Sequence, residues 1–275
     1  MPASSATPDL YLPVAEALLR YRDEGQGPAV LLIHGWTLDL DMWEPQVAAL
    51  GDDFRFIRFD RRGFGLSFGR ASRGADAQDA LRLCDQLRIE RFACVGMSQG
   101  ARVALRLCRL VPARLSCVVL DGPPRTLAEE CAEAGEDLPL SEYRSLMVRG
   151  DIESFRRLWA AHPLMQLETP SADAHALLAR MTAGYDGRDL LPELPAPEAD
   201  REPLIDSSLR TPALIMTGEH DLPARVRAAD ALASALPGAR RAIINCARHL
   251  PNLDNPSAYN AALRGFLVRH AASIP

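Results

Sequence analysis

The six cysteines of this 275-residue chain form no C-x-x-C pair, so neither a zinc knuckle nor a redox dithiol is expected. Cys84, Cys94, Cys108, Cys117, Cys131 and Cys246 fall mostly in apolar or helical stretches and read as reduced thiols of a cytoplasmic protein. Positive charge is in the minority. The 31 Lys and Arg are outnumbered by 36 Asp and Glu, for a net charge of −5, which argues against non-specific nucleic-acid binding. No basic run suits an anionic membrane surface. Met1 to Asp9 lacks the basic-then-apolar order of a secretion signal, and no apolar run reaches membrane-spanning length. No H-E-x-x-H pair occurs, and His162 and His175 stand without ligand company, so no metal is expected. These absences leave a soluble globular protein, with no nucleic-acid or membrane partner.

What the chain does have is apolar substance. Hydrophobic residues make up 48% of it, enough to bury a large core without disulfides or metal. Continuous apolar runs at residues 29–34 and 92–96 are what strands covered on both faces require; 54–60 partly alternates, 115–121 and 213–218 continue the series, and 240–245 closes it. Amphipathic helical patterns lie between them at 75–87, 99–110, 225–236 and 256–270. This alternation predicts an α/β fold with a mostly parallel twisted sheet flanked by helices. The opening stretch YLPVAEALLRYRDEG fits one helix or a hairpin entering the sheet. Between residues 123 and 210 the alternation stops, leaving helical pieces at 141–149, 152–161 and 172–185 and a Pro-rich acidic end, LPELPAPEADREP. We therefore expect a core domain formed by residues 1–122 and 211–275, with 123–210 inserted as a helical cap. No internal repeat is evident.

Gly96-Met97-Ser98-Gln99-Gly100 matches G-x-S-x-G between a predicted strand and a predicted helix. The flanking glycines let the chain turn sharply and let strand and helix come close. At such a turn the Ser98 hydroxyl is either a helix N-cap or a nucleophile lifted above the sheet edge. A nucleophilic serine needs a base, and the base needs a carboxylate to orient it. Asp221, in GEHD, and His249, in CARHLPNLDNP, each follow a later strand, where open α/β sheets bind ligands. The order Ser, Asp, His is the one this motif keeps. A helix cap is the plainer role for Asp221, and a surface histidine for His249. Asp121, ahead of Gly122, is the second-choice acid. Glu219 is a weaker candidate, and His220 precedes Asp221 and fits the order poorly as base.

Acyl transfer develops negative charge on the carbonyl oxygen, which two backbone N–H donors can stabilise by about 3 kcal/mol each. One donor is expected from Gln99, at the free start of the helix. The other is expected from Trp36 in His34-Gly35-Trp36, where Gly35 permits close backbone approach; His34 is expected to brace that loop. DRRGFGLSFG also holds Gly63-x-Gly65 after a strand, but the third glycine of a dinucleotide loop is misplaced and no helix opens directly. A plain turn is expected there.

LLIHGW, DRRGFGLS, VGMSQG, GEHD and RHLPN, in that order, resemble the α/β-hydrolase superfamily over residues 11–271, least across the cap. HGWTLDLDMWEPQ followed by FDRRGFGLS is similar to its branch of esterases, cofactor-free haloperoxidases and 3-oxoadipate enol-lactonases. The resemblance implies an α/β-hydrolase fold whose sheet begins with a hairpin. It also implies a cofactor-free serine hydrolase that forms an acyl-enzyme at Ser98, with Trp36 and Gln99 donating to the oxyanion. One departure is Ala101-Arg102 after Gly100, where many relatives carry a second glycine. Serine rather than aspartate at 98 speaks against haloalkane dehalogenation.

The expected substrate is a small to medium apolar carboxylic ester or lactone, because the cap is apolar and no cationic cluster for phosphate is evident. Met147, Trp159, Met165 and Met181 are candidates to line an acyl pocket, although their helical spacing equally suits plain core. The same triad would serve carbon–carbon hydrolysis of a dienoate ring-cleavage product, given a carboxylate binder such as Arg125 or Arg180. Cofactor-free perhydrolysis is a further use of such a site. A non-catalytic ligand receptor would be expected to show a broken triad. The sequence leaves a homo-oligomer open.

Overall fold

A computed structural model describes residues 7–123, 138–191 and 209–271. Eight strands form one sheet: β1 (Leu10–Val14), β2 (Ala17–Gly25), β3 (Ala29–Ile33), β4 (Arg55–Phe59), β5 (Phe92–Met97), β6 (Leu115–Asp121), β7 (Ala213–Gly218) and β8 (Arg240–Ile244). Their spatial order is β1-β2-β4-β3-β5-β6-β7-β8. The pairs β1–β2 and β2–β4 are antiparallel, and every later pair is parallel. The ambiguous opening stretch is thus a hairpin, turning at Ala15-Glu16 with Glu16 at φ +58°.

The central strands are apolar without a break because both faces are covered. Val30 and Leu32 of β3 join one hydrophobic cluster, Leu31 and Ile33 the other, as the two-residue side-chain period dictates. All four are completely buried, each worth about 1.5–3 kcal/mol relative to exposure. Helices Arg73–Gln86, Gln99–Leu110 and Pro223–Ala235 cover one face through Leu83, Leu107 and Leu232. Helices Glu44–Leu50 and Pro256–His270 cover the other, together with the segment between β6 and β7.

That segment contributes helices Leu140–Val148, Ile152–Ala161 and Ala172–Gly184, and no strand among its described residues. Asp151 and Ser171 cap the second and third of these by accepting from Ser154 N–H and Ala174 N–H. Most of LPELPAPEADREP lies outside the described residues. Two short helices, Glu44–Leu50 and Pro251–Asp254, are too brief to leave a periodic signature. Four cysteines (84, 94, 108 and 117) are buried and free, but Cys246 is exposed; Cys131 lies outside the described residues. Among the described residues no helix is long and apolar enough to cross a membrane.

Candidate active site

Parallel strands carry their carboxyl ends to one edge of the sheet, and there the singled-out residues meet. Ser98 stands between β5 and the helix Gln99–Leu110 at φ +49°, ψ −112°, a conformation costing on the order of 1–3 kcal/mol for a residue with a side chain. The neighbouring strand and helix pass so close that a Cβ at Gly96 would collide with Gly100 O, and one at Gly100 with Ile33 O. Ser98 N–H donates to Asp121 O at 2.7 Å, tying the turn to the end of β6.

The Ser98 hydroxyl makes no capping bond to its helix. Its Oγ lies 3.2 Å from Nε2 of His249. The other ring nitrogen, Nδ1, lies 2.9 Å from Asp221 Oδ2, and Asp221 Oδ1 accepts from Leu222 N–H at 2.7 Å. Both His249 and Asp221 are buried, whereas Ser98 is half-buried. Gly122 lies beneath the imidazole at φ +50°, and a Cβ there would sit 2.9 Å from His249 Cε1. Preceding the imidazole, Arg248 N–H donates to Asp254 Oδ2 at 2.7 Å. Asp254 Oδ1 accepts in turn from Glu168 and Thr169 N–H of the segment between β6 and β7.

The rival acids and bases are placed elsewhere. Asp121 is fully buried, with neither carboxyl oxygen hydrogen-bonded, and faces the buried Tyr259 hydroxyl. Burial pushes its carboxyl well above the ordinary value; the Tyr259 hydroxyl opposes this and nearby Asp221 adds to it. It is Asp221, and not Asp121, whose carboxylate lies against the imidazole of His249. His220 is exposed, with Nδ1 2.8 Å from Glu168 Oε2, and Glu219 Oε2 accepts from Cys246 N–H. Among the described residues no group of three His, Cys, Asp or Glu side chains is arranged to hold a metal ion.

Across from His249 lies the loop after β3. His34 is fully buried; its Nε2 accepts from Arg61 N–H at 2.9 Å, so the proton is on Nδ1, which donates to Gly35 O at 2.7 Å. Burial first, and the Arg61 charge second, hold this imidazole well below its ordinary pKa and neutral. Gly35 lies against Met97, where a Cβ would come 2.6 Å from its Sδ. Among the described residues the backbone N–H of Trp36 has no backbone acceptor, and Gln99 N–H opens its helix, where no intrahelical acceptor exists.

The helical segment between β6 and β7 packs against this loop. Trp36 packs against Trp159 with ring centroids 4.9 Å apart, and against Phe155, Tyr143 and Tyr185. Two indole N–H bonds cross the seam: Trp36 Nε1 donates to Asp189 Oδ2 and Trp159 Nε1 to Thr37 Oγ1, each at 2.7 Å. Asp189 also accepts from the Tyr185 hydroxyl. Met147, Met165 and Met181 are buried in the same apolar cluster as Trp36, Trp159 and Met97. Arg180 instead lies at the surface, 3.4 Å from Glu44 and 3.6 Å from Asp41, and Arg125 lies outside the described residues. The DRRGFGLS turn wraps around its own Asp60, whose carboxylate accepts from Leu40 and Leu66 N–H.

Sequence reasoning missed Arg61, Asp76, Asp189 and Thr37 as parts of this site. The contacts that tie them into the site, Arg61–Asp76, Trp159–Thr37 and Trp36–Asp189, span 15 to 153 residues and leave no local signal.

A mostly parallel sheet, a serine on a strained strand-to-helix turn, and a histidine and aspartate from later loops define the α/β-hydrolase class. Residues 28–256 match the α/β hydrolase fold family, and the chain belongs to it. It is 31% identical over 239 residues to the pimeloyl-[acyl-carrier protein] methyl ester esterase of Methylococcus capsulatus, covering 84% of this chain and 91% of that protein. A thermophilic esterase from Thermogutta terrifontis superposes with a TM-score of 0.75 at 25% identity, over 97% of this chain and 100% of the other. The enol-lactonase of Burkholderia xenovorans LB400 also gives a TM-score of 0.75, at 26% identity, over 94% and 100%.

Proposed function

We propose that this protein is a serine hydrolase that cleaves a small to medium, apolar carboxylic ester or lactone through an acyl-enzyme. The observation that carries this is the hydrogen-bonded series Ser98–His249–Asp221, at 3.2 and 2.9 Å, with a hydroxyl not spent on capping. Ser98 Oγ adds to the carbonyl carbon while its proton passes to His249 Nε2. Asp221 holds the ring and stabilises the imidazolium. The electron pair displaced onto the carbonyl oxygen is met by Trp36 and Gln99 N–H. Collapse breaks the bond to the leaving oxygen, which takes the proton from His249; in a lactone the ring opens. Water then adds to the acyl carbon, giving a proton to His249, and the second collapse returns that proton to Ser98 as the acid departs.

The apolar, aromatic cap and relatives named as esterases and an enol-lactonase support this substrate class. Dienoate cleavage asks for a cation facing the site, and Arg180 is instead engaged by surface carboxylates. The helices Leu140–Val148, Ile152–Ala161 and Ala172–Gly184 serve as the lid over the acyl group. The buried thiols suit a reducing, cytoplasmic setting.

Ser98→Ala tests the reading. It is expected to lower kcat/KM for p-nitrophenyl butyrate by about 10³-fold or more and to abolish stoichiometric labelling by a fluorophosphonate. Retention of most of the activity would overturn it, and a folded wild-type protein inert to the probe would point to a receptor.

A further inference from the structure

Arg61 occupies an unusual position for a cation. It follows β4, is completely buried, and its Nη1 lies 3.0 Å from Oδ2 of Asp76, itself buried. Removing two charges from water is costly and rarely justified by stability alone, so the remaining contacts of the guanidinium are informative. Nη2 donates to two acceptors, Gly35 O at 3.1 Å and Gln99 Oε1 at 2.7 Å. These belong to the two segments whose backbone N–H groups, Trp36 and Gln99, are the proposed oxyanion donors.

The grip on Gly35 is double. Its carbonyl also accepts from His34 Nδ1–H, and His34 is set in that tautomer by the backbone N–H of Arg61. Both donors to the Gly35 oxygen therefore trace to residue 61. In a trans peptide the C=O and the following N–H point in opposite directions within one rigid plane, so fixing Gly35 O fixes the direction of Trp36 N–H. The Phe64 ring, 4.4 Å below Arg61 Cζ, holds the plane of the fork.

We infer that Arg61 is the positioning residue of the oxyanion hole: held by Asp76, its guanidinium aligns the Gly35–Trp36 peptide and the start of the Gln99 helix on one carbonyl oxygen. The inference rests on the proposed Ser98 mechanism. Arg61 touches no reacting atom; it acts through the peptide it holds. The arrangement requires arginine, because one rigid fork must serve a carboxylate on one nitrogen and two acceptors on the other, which an ammonium cannot reproduce.

The experiment compares wild type, Arg61→Lys, Arg61→Met and Gln99→Leu. For each, kcat and KM for p-nitrophenyl butyrate are measured with the inhibition constant of an alkylboronic acid, and folding is checked by circular dichroism. Arg61→Lys is expected to lower kcat about 10- to 100-fold, the range for displaced rather than deleted donors. KM should move less than about threefold, and boronate affinity should fall in parallel with kcat/KM. Arg61→Met should lose at least as much, and Gln99→Leu, which keeps its backbone N–H and loses one tie, should lose less. If the Arg61 variants fail to fold, Gln99→Leu and Asp76→Asn carry the test through the same parallel between kcat/KM and boronate affinity. Folded variants with boronate affinity unchanged would overturn the inference. A wild type that labels at Ser98 beside an inactive Ser98→Ala would leave the mechanism standing when Arg61 fails; an active Ser98→Ala would remove the mechanism itself.

Discussion

The two flanks of Ser98 are built from different materials. On the His249 side the geometry is set by close backbone approach: Gly122 leaves room for the imidazole, and a Cβ at Gly218 would collide with Arg248 O. One side-chain contact, between His249 Nδ1 and Asp221 Oδ2, completes it. On the Trp36 side the geometry is set by buried polar groups. Arg61, Asp76 and His34 hold the loop from within the core, and Asp189 and Trp159 hold it from the cap. The contrast follows from the chemistry proposed for each flank. An imidazole that shuttles protons needs space and one orienting partner, whereas an oxyanion hole must be rigid before charge appears in it.

A single methyl group is the sharpest way to break the first flank. Gly122→Ala places a Cβ 2.9 Å from His249 Cε1 at a backbone φ of +50°. The left-handed conformation alone costs roughly 1–2 kcal/mol for alanine, and relief of the clash tilts the ring away from Ser98. We expect kcat to fall about 10- to 100-fold with slower fluorophosphonate labelling, while boronate affinity falls less than in the Arg61 variants. An unaltered labelling rate would show that close packing does not set the imidazole.

How legible each flank is from sequence follows from the same contrast. The central strands β3, β5, β6 and β7 were readable as mostly apolar runs, because they are buried on both faces. Ser98, Asp221 and His249 were readable because an elbow motif and chain order are local, ordered signals. The helical pieces of the cap could be read from periodicity, but their docking onto Trp36 could not, since it depends on pairs such as Trp159–Thr37 that are 122 residues apart. Arg61 was the least visible of all. Every one of the 31 basic residues is an arginine, so its residue type carried no distinction, and only burial against Asp76 and Gly35 singles it out.

The second flank is tested from the cap side. Trp159→Phe retains the aromatic ring against Trp36 and deletes the N–H that Thr37 Oγ1 accepts. Thr37 sits at φ +62°, a conformation that a residue with a side chain holds only with support. Loss of that support is expected to lower kcat about 3- to 10-fold, in line with one neutral hydrogen bond of about 1 kcal/mol. Unchanged kcat and boronate affinity would mean that the loop is set from the core alone, with Arg61 sufficient.

The smallest effect is expected outside both flanks. Arg180 is 58% exposed in its side chain and meets only Asp41 and Glu44 among the described residues, an arrangement that contributes little at a wet surface. Arg180→Ala should therefore leave kcat/KM for an uncharged ester within about twofold, as surface substitutions generally do. The informative comparison is a dienoate carrying a free carboxylate. If Arg180 swings inward to bind it, activity on that substrate would fall alone while ester hydrolysis persisted. Such selective loss would move the substrate class toward carbon–carbon cleavage; parallel, near-unchanged rates on both would leave the apolar ester as the better fit to this cap.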